Sequence, residues 1–192
     1  MRKVDLLKFV IEGLKQGKCE NNYGAFKESY LLTIDPSTGS HHPKESFVRF
    51  AEAVMLTHIS SSPSNEAIKA LEVSIRFNPN FAFSYFLRGC LTYKANLYVY
   101  KNEPEIYNKI VNDYNKAIEI DPNLAVFYLY RGDLNYDFEK YDQAIIDYTK
   151  AIELNPTDAE AYYSRGLAYE KTGQQKQAIT DFSKAGSFIF MY

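Results

Sequence analysis

Residues 125–158 read AVFYLYRGDLNYDFEKYDQAIIDYTKAIELNPTD, and residues 159–185 read AEAYYSRGLAYEKTGQQKQAITDFSKA. The second stretch repeats the first at a spacing of 34 residues. The shared residues are Tyr128, Arg131, Gly132, Ala144, Asp147, Tyr148, Lys150 and Ala151 in the first copy, and Tyr162, Arg165, Gly166, Ala178, Asp181, Phe182, Lys184 and Ala185 in the second. A repeat of this period indicates one supersecondary unit used twice.

Each copy has the pattern of two packed helices. The later half of the first copy carries an apolar stripe at helical spacing, formed by Tyr141, Ala144, Ile145, Tyr148, Ala151 and Ile152. Gly132 and Ala144 have little bulk where this helix meets its partner, and Pro156 ends the pair. Gly173 suits the turn inside the second copy. Such a hairpin cannot bury its own apolar face, so consecutive hairpins are expected to stack.

The pattern resembles the tetratricopeptide repeat. An aromatic residue is followed by glycine four positions later, then by alanine with an aromatic residue four positions after it, and finally by proline. These features are Tyr128, Gly132, Ala144, Tyr148 and Pro156. The resemblance is full in these two copies and weaker upstream. It implies an all-α fold, a right-handed superhelical α-solenoid of stacked antiparallel helix pairs. It also implies a concave groove that binds another protein, as a peptide or an amphipathic helix.

The pattern divides the chain into six segments. They are a helix pair and candidate degenerate repeat at 1–36, a loop at 37–44, a degenerate hairpin at 45–79, a repeat with an insertion at 80–122, a repeat at 123–156, and a repeat with an apolar C-terminal tail at 157–192. The loop contains His41 and His42. Adjacent histidines in a loop without two further fixed ligands favour solvated residues over a metal site.

The insertion lies between the two helices of the third hairpin. Gly89 and Ala117 are 28 residues apart, whereas Gly132 and Ala151 are 19 apart, so nine extra residues fall near 94–103. One interpretation is a protruding contact element containing the apolar residues 97–100. The favoured interpretation lengthens both helices by about one turn each. Pro104 is expected to be the first residue of the second helix.

A second series predicts ion pairs that fix the register of the stack. An arginine precedes the glycine of each repeat, and an aspartate precedes the aromatic residue of its second helix. The arginines are Arg88, Arg131 and Arg165, and the aspartates are Asp113, Asp147 and Asp181. We expect each arginine to pair with an aspartate, either within its repeat or across to the next. Partly buried pairs add little net stability, but loss of one partner is costly.

The resemblance also implies which residues line the groove. They are Phe83, Phe86, Cys90 and Tyr93 in one repeat, Val126, Leu129, Asp133 and Tyr136 in the next, and Glu160, Tyr163, Leu167 and Glu170 in the last. This aromatic and apolar surface with acidic residues suits an apolar or amphipathic segment with basic ends. Family members that bind the acidic C-terminal tails of chaperones use Lys and Asn at such positions. Leu129, Tyr130, Asp133 and Tyr163 stand here instead, which argues against that specificity.

Composition narrows the classes of function. A formal net charge of −2 provides no basic footprint for nucleic acid, and the two cysteines lack metal or redox spacing. The first residues form an amphipathic pattern interrupted by charges, so membrane insertion is not expected and cytoplasmic residence is the default. The scattered polar residues form neither a catalytic set of nucleophile and base nor a phosphate-binding loop. We therefore expect no enzymatic activity, no cofactor and no metal.

The C-terminal end raises an alternative. Residues 187–192 read SFIFMY and are apolar, where a solenoid usually ends on a polar face. The tail could fold back as a cap, the chain could be part of a longer one, or another copy could cover this end. A homo-oligomer formed through the C-terminal end is therefore the alternative to a scaffold that binds another protein.

Overall fold

The structure is a computed structural model that describes residues 46, 49–54, 56, 65–96 and 103–189. The helix pair predicted at 1–36 and the loop at 37–44, with His41 and His42, lie outside the described residues. Residues 97–102 of the insertion and 190–192 of the tail also lie outside them.

All regular secondary structure in the described ranges is helical. The helices are α1 (Asn65–Phe77), α2 (Ala82–Asn96), α3 (Pro104–Ile120), α4 (Ala125–Asp137), α5 (Tyr141–Leu154), α6 (Ala159–Lys171) and α7 (Gln175–Ile189). Helical backbone is also present at residues 46, 49–54 and 56.

The chain divides into two compact units, Met1–Asn80 and Phe81–Tyr192. In the first unit, two serines join α1 to the helical residues before it. Ser46 Oγ donates a hydrogen bond to the Ser74 carbonyl oxygen over 2.8 Å, and Ser74 Oγ donates to the Ser46 carbonyl oxygen over 2.6 Å. Ala67 and Leu71 are fully buried on α1. Small side chains at this contact let the two backbones approach closely.

The second unit consists of three helix pairs, α2 with α3, α4 with α5, and α6 with α7. Consecutive pairs pack through α3 against α4 and through α5 against α6. Phe127 is fully buried with Ala82 and Ala117 between the first two pairs, and Ala161 is buried with Ala151 between the last two. The apolar faces between consecutive pairs are thus buried, as the amphipathic pattern requires.

The glycine of each repeat lies against the aromatic ring of the partner helix. A Cβ atom placed on Gly89 would lie 2.7 Å from Tyr114 Cε1, and one on Gly132 would lie 2.6 Å from Tyr148 Cε1. The third repeat has the same contact between Gly166 and Phe182. The glycine therefore provides the space through which the ring of α3, α5 or α7 crosses the first helix of its pair.

Turn and capping residues set the helix ends. α5 ends at Leu154 before Asn155, and Asp158 caps α6 by accepting hydrogen bonds from the backbone N–H groups of Glu160 and Ala161. The turn after α6 has Gly173 at a φ of 77°, and the corresponding turn after α4 has Glu139 at a φ of 60°. The same left-handed backbone is thus adopted once by glycine and once by glutamate.

The insertion lengthens both helices of its repeat. α2 has 15 residues and α4 has 13, while α3 has 17 and α5 has 14. Pro104 is the first residue of α3, where a missing N–H costs nothing. Within the described residues, α2 is two residues longer than α4 and α3 is three residues longer than α5.

The C-terminal tail continues α7 up to Ile189. The Phe188 ring lies 5.8 Å from the Tyr162 ring of α6, measured between ring centroids. The start of the apolar tail therefore packs along its own repeat.

Candidate functional site

Ion pairs recur along the second unit between the two helices of each pair. Arg88 Nη2 lies 2.6 Å from Asp113 Oδ1, Arg131 Nη2 lies 2.5 Å from Asp147 Oδ1, and Arg165 Nε lies 2.7 Å from Asp181 Oδ2. All three aspartates are buried. The hydrogen bond with Asp181 raises the pKa of the Arg165 guanidinium. Each arginine thus neutralises a buried carboxylate of its own repeat.

Two of the arginines also reach the preceding repeat. Arg131 Nη1 donates a hydrogen bond to Asn115 Oδ1 over 2.7 Å, and Arg165 Nη1 donates to Thr149 Oγ1 over 3.0 Å. Asn115 and Thr149 occupy equivalent positions on α3 and α5. The sequence left open whether the pairs act within or between repeats. The guanidinium does both, with the carboxylate inside the repeat and the neutral acceptor outside it.

On the first helices of the three pairs, tyrosines and carboxylates surround a cavity of about 280 Å³. It is lined by Tyr93 of α2, Tyr114 of α3, Tyr130, Asp133, Tyr136 and Asp137 of α4, Tyr148 of α5, and Ser164 and Leu167 of α6. Tyr114 and Tyr148 reach it by crossing Gly89 and Gly132. The tight crossing at each glycine therefore brings the tips of second-helix tyrosines to the surface formed by the first helices.

Hydrogen bonds orient the polar groups of the cavity. Tyr148 Oη donates to Asp133 Oδ1 over 2.9 Å, and Tyr93 Oη donates to Asp137 Oδ2. Tyr114 Oη donates to Cys90 Sγ over 3.6 Å. These bonds link α2, α4 and the two second helices, so the cavity is held by groups from four helices.

Burial shifts the acid–base equilibria of these groups. It raises the pKa of Asp133 to about 6, with the charge of Glu160 acting in the same direction and the Tyr148 hydrogen bond opposing both. Burial also raises the pKa of Asp137. The pKa values of Cys90 and Tyr130 rise to about 12, again through burial. At neutral pH the thiol and hydroxyls are neutral, and the charge of the cavity belongs to its carboxylates.

A family model for the TPR repeat matches residues 132–173, from Gly132 in α4 to Gly173 in the turn before α7. This part of the chain carries the tetratricopeptide repeat. The match includes the second helix of one repeat, Pro156 and the first helix of the next. The resemblance proposed from the residue pattern is thus confirmed, on the part of the chain where the pattern is most complete.

Solved structures share the fold of this chain. The crystal structure of MamA has a TM-score of 0.65 at 22% identity, covering 88% of this chain and 91% of that one. The MamA RS-1 ArsTM double mutant has a TM-score of 0.66 at 14% identity, covering 97% and 93%. The TPR domain of Arabidopsis OM64 has a TM-score of 0.50 at 27% identity, covering 58% and 84%. A search of curated proteins finds no match. The predicted all-α solenoid of stacked helix pairs is confirmed.

The residues inferred for the tetratricopeptide groove fall into two groups. Tyr93, Asp133, Tyr136 and Leu167 line the cavity, and Cys90 lies beside it, where it accepts the hydrogen bond of Tyr114. Phe83, Phe86 and Val126 pack around buried Phe127. Leu129 lies in the core and is only 5% exposed. Tyr163 and Glu170 are exposed on α6 and do not line the cavity. Leu129 is too buried to touch a partner, because its side chain packs between the second and third repeats.

Five lining residues were missing from the inferred set. They are Tyr114, Tyr130, Asp137, Tyr148 and Ser164. The recurring glycine-to-aromatic spacing carried a signal for Tyr114 and Tyr148, since the glycine leaves room for the ring to cross. Tyr130 and Ser164 occupy the same repeat position, and they mark a lining position that the family pattern did not supply.

In the described part of the chain, no group of three or more His, Cys, Asp or Glu side chains could hold a metal ion. Across the same ranges, no helix combines the length and the apolar character that crossing a membrane would need.

Proposed function

We propose that the protein is a non-catalytic interaction scaffold that binds a peptide or helix of a partner protein along α2, α4 and α6. Tetratricopeptide repeats support an interaction scaffold in general. The observation that carries the finer proposal is the tyrosine-lined cavity at the centre of this surface.

The cavity has the residue types that anchor protein partners. Tyrosine combines a large, rigid contact area with a polar tip, and it is enriched where binding energy is concentrated. Tyr130 is the most accessible of these rings, at 41% exposed, and its ring lies 5.1 Å from Phe86 in an edge-on arrangement. This packing orients the ring before a partner arrives, which lowers the entropic cost of binding.

The charge of the surface argues against an acidic tail as the partner. Asp133 and Asp137 line the cavity, and Glu160 adds its charge nearby. A peptide carboxylate placed here would meet like charges in a partly desolvated site. An amphipathic segment with apolar and basic residues fits better.

Selection of displayed peptides on the full chain tests the scaffold proposal. We expect enriched sequences whose affinity, measured by calorimetry, falls about tenfold with Tyr130→Ala, since loss of an anchoring ring costs about 1.4 kcal/mol. Ile146→Ala is the control, because Ile146 is an exposed apolar residue of α5 outside this cavity. Equal loss with both variants, or no enrichment at all, would contradict the proposal.

Self-association through α7 is the alternative, and one observation favours it. Ile145 of α5 packs against the core shared with the next repeat, whereas the equivalent Ile179 of α7 is 64% exposed. Ser183 likewise occupies the position of Thr149, which accepts a hydrogen bond from the next repeat. Sedimentation of the wild type and of Ile179→Glu tests this alternative. A monomer at high concentration in both would remove it, while Tyr130→Ala should leave any assembly intact.

A further inference from the structure

The cavity differs from the rest of the second unit in how its carboxylates are neutralised. Asp113, Asp147 and Asp181 each pair with an arginine. Within the described part of the chain, Asp133 and Asp137 form no ion pair, and no lysine or arginine is among the residues that line the cavity. Among the described residues, cations thus accompany the buried carboxylates of the core but not those of the cavity.

Asp133 faces uncharged or negative groups on each helix packed around it. α5 contributes the Tyr148 hydroxyl, α2 the Cys90 thiol, and α6 the negative charge of Glu160. On its own helix, Asp133 neighbours Tyr130, whose pKa is about 12, and Asp137. A partly desolvated carboxylate without a cation is costly. A positive group that enters the cavity is therefore stabilised by the negative charges of Asp133, Asp137 and Glu160.

The walls of the cavity suit the same kind of group. Tyr93, Tyr130 and Tyr136 line it together with the tips of Tyr114 and Tyr148. Cations are attracted to the faces of aromatic rings, and arginine also stacks on them while its fork binds carboxylates. A volume of about 280 Å³ has room for one long side chain.

We propose that this cavity binds a basic side chain, arginine or lysine, presented by the partner peptide. Its cation lies against Asp133 and Asp137, and its aliphatic stem lies along the tyrosine rings. This inference rests on the proposed function of the groove and names the residue type that the groove selects.

Titration with single amino-acid derivatives tests the inference without a known partner. The ¹⁵N-labelled full chain is titrated at pH 7.5 with N-acetyl-arginine amide, N-acetyl-lysine amide and the uncharged isostere N-acetyl-citrulline amide. We expect saturable shifts at Asp133, Asp137 and Tyr130 with one or both cations and none with citrulline. Asp133→Asn should weaken the cation response at least tenfold, and Asp137→Asn provides a second variant of the same charge.

Asp142→Asn is the matched control, because Asp142 is an exposed carboxylate of α5 that does not line the cavity. It should leave the response unchanged. A response to citrulline equal to that of arginine, no response to either cation, or a response insensitive to both cavity variants would overturn the inference.

The displayed peptides separate this inference from the scaffold proposal. If peptides bind in the groove but carry no arginine or lysine, or bind Asp133→Asn as tightly as wild type, the cation site is wrong and the scaffold stands. If no peptide is enriched while arginine amide still binds at Asp133, the scaffold is wrong and the cation preference of the cavity stands.

Discussion

At the scale of single residues, the glycine of each repeat controls where an aromatic ring goes. Gly132 is buried, and Tyr148, which crosses it, is almost fully buried as well. The same ring ends in the hydroxyl that binds Asp133 in the cavity. One missing side chain therefore serves both the packing of the helix pair and the geometry of the candidate site.

Gly132→Ala should destabilise the second unit by about 2 kcal/mol, since its Cβ would lie 2.6 Å from Tyr148 Cε1 and the buried ring must move. Gly186→Ala is the control, because a Cβ built on this helical glycine would meet nothing within 4 Å apart from its own helix backbone and chain neighbours. That change should stabilise by about 0.5 kcal/mol through helix propensity. Urea unfolding followed by circular dichroism measures both. Equal effects of the two variants would contradict this account.

The sequence predicted much at this scale, and its failures have physical reasons. Small residues at Gly132 and Ala144 indicated a close contact correctly, because volume is a property of each residue. The sequence did not predict the left-handed backbone at Glu139, since glutamate has no preference for that conformation. Gly173 at the equivalent turn carried the only local signal, one repeat away.

At the scale of helices, the arginines connect each pair to the one before it. Arg131 binds Asp147 inside its repeat and Asn115 outside it. The arginine and aspartate positions were readable from their constant spacing, which survives the nine-residue insertion. The hydrogen-bond acceptors in the preceding repeat could not be predicted, because Asn115 and Thr149 differ in chemistry and share only their position on the helix.

Arg131→Met should cost about 3 kcal/mol, since it leaves Asp147 buried without its cation. Lys150→Met is the matched control, because Lys150 lies one turn after Asp147 on α5 and forms an exposed ion pair with Glu153. The distance between Lys150 Nζ and Glu153 Oε2 is 2.9 Å. Exposed pairs contribute little, so the unfolding midpoint of that variant should stay close to wild type. Chemical unfolding of both variants measures the difference. If Arg131→Met unfolded like Lys150→Met, the arginine would not hold the register of the stack.

At the scale of the whole stack, the cavity exists only because three repeats are adjacent. α2, α4 and α6 each contribute lining residues, and no single hairpin contains the site. The sequence predicted the helices of this surface, because repeats place equivalent residues on equivalent faces. The glycine-to-aromatic spacing marked Tyr114 and Tyr148 as rings that cross the first helix, but it could not predict that their hydroxyls reach the same cavity, since that depends on the packing of neighbouring repeats.

The free-energy cost of ionising Asp133 arises only in the assembled repeats. This cost makes the stability of the fold depend on pH. The pKa of Asp133 rises from its ordinary 3.8 to about 6 in the folded state, so between these values the folded chain holds more protons than the unfolded chain. Its contribution to the free energy of unfolding therefore falls as pH rises through this window and is constant above it. Asp133→Asn removes that cost and keeps an oxygen for the Tyr148 hydroxyl.

Asp133→Asn should thus match wild type in stability near pH 3.5 and exceed it by about 3 kcal/mol at pH 7.5, at 1.36 kcal/mol for each pKa unit. Urea unfolding at both pH values measures the difference, with Asp142→Asn as the control for removal of an exposed carboxylate. A variant less stable than wild type at pH 7.5 would mean that the charged carboxylate stabilises the fold. The expected gain instead means that the free protein carries an unfavourable charge in its groove, which a basic residue of a partner would offset on binding.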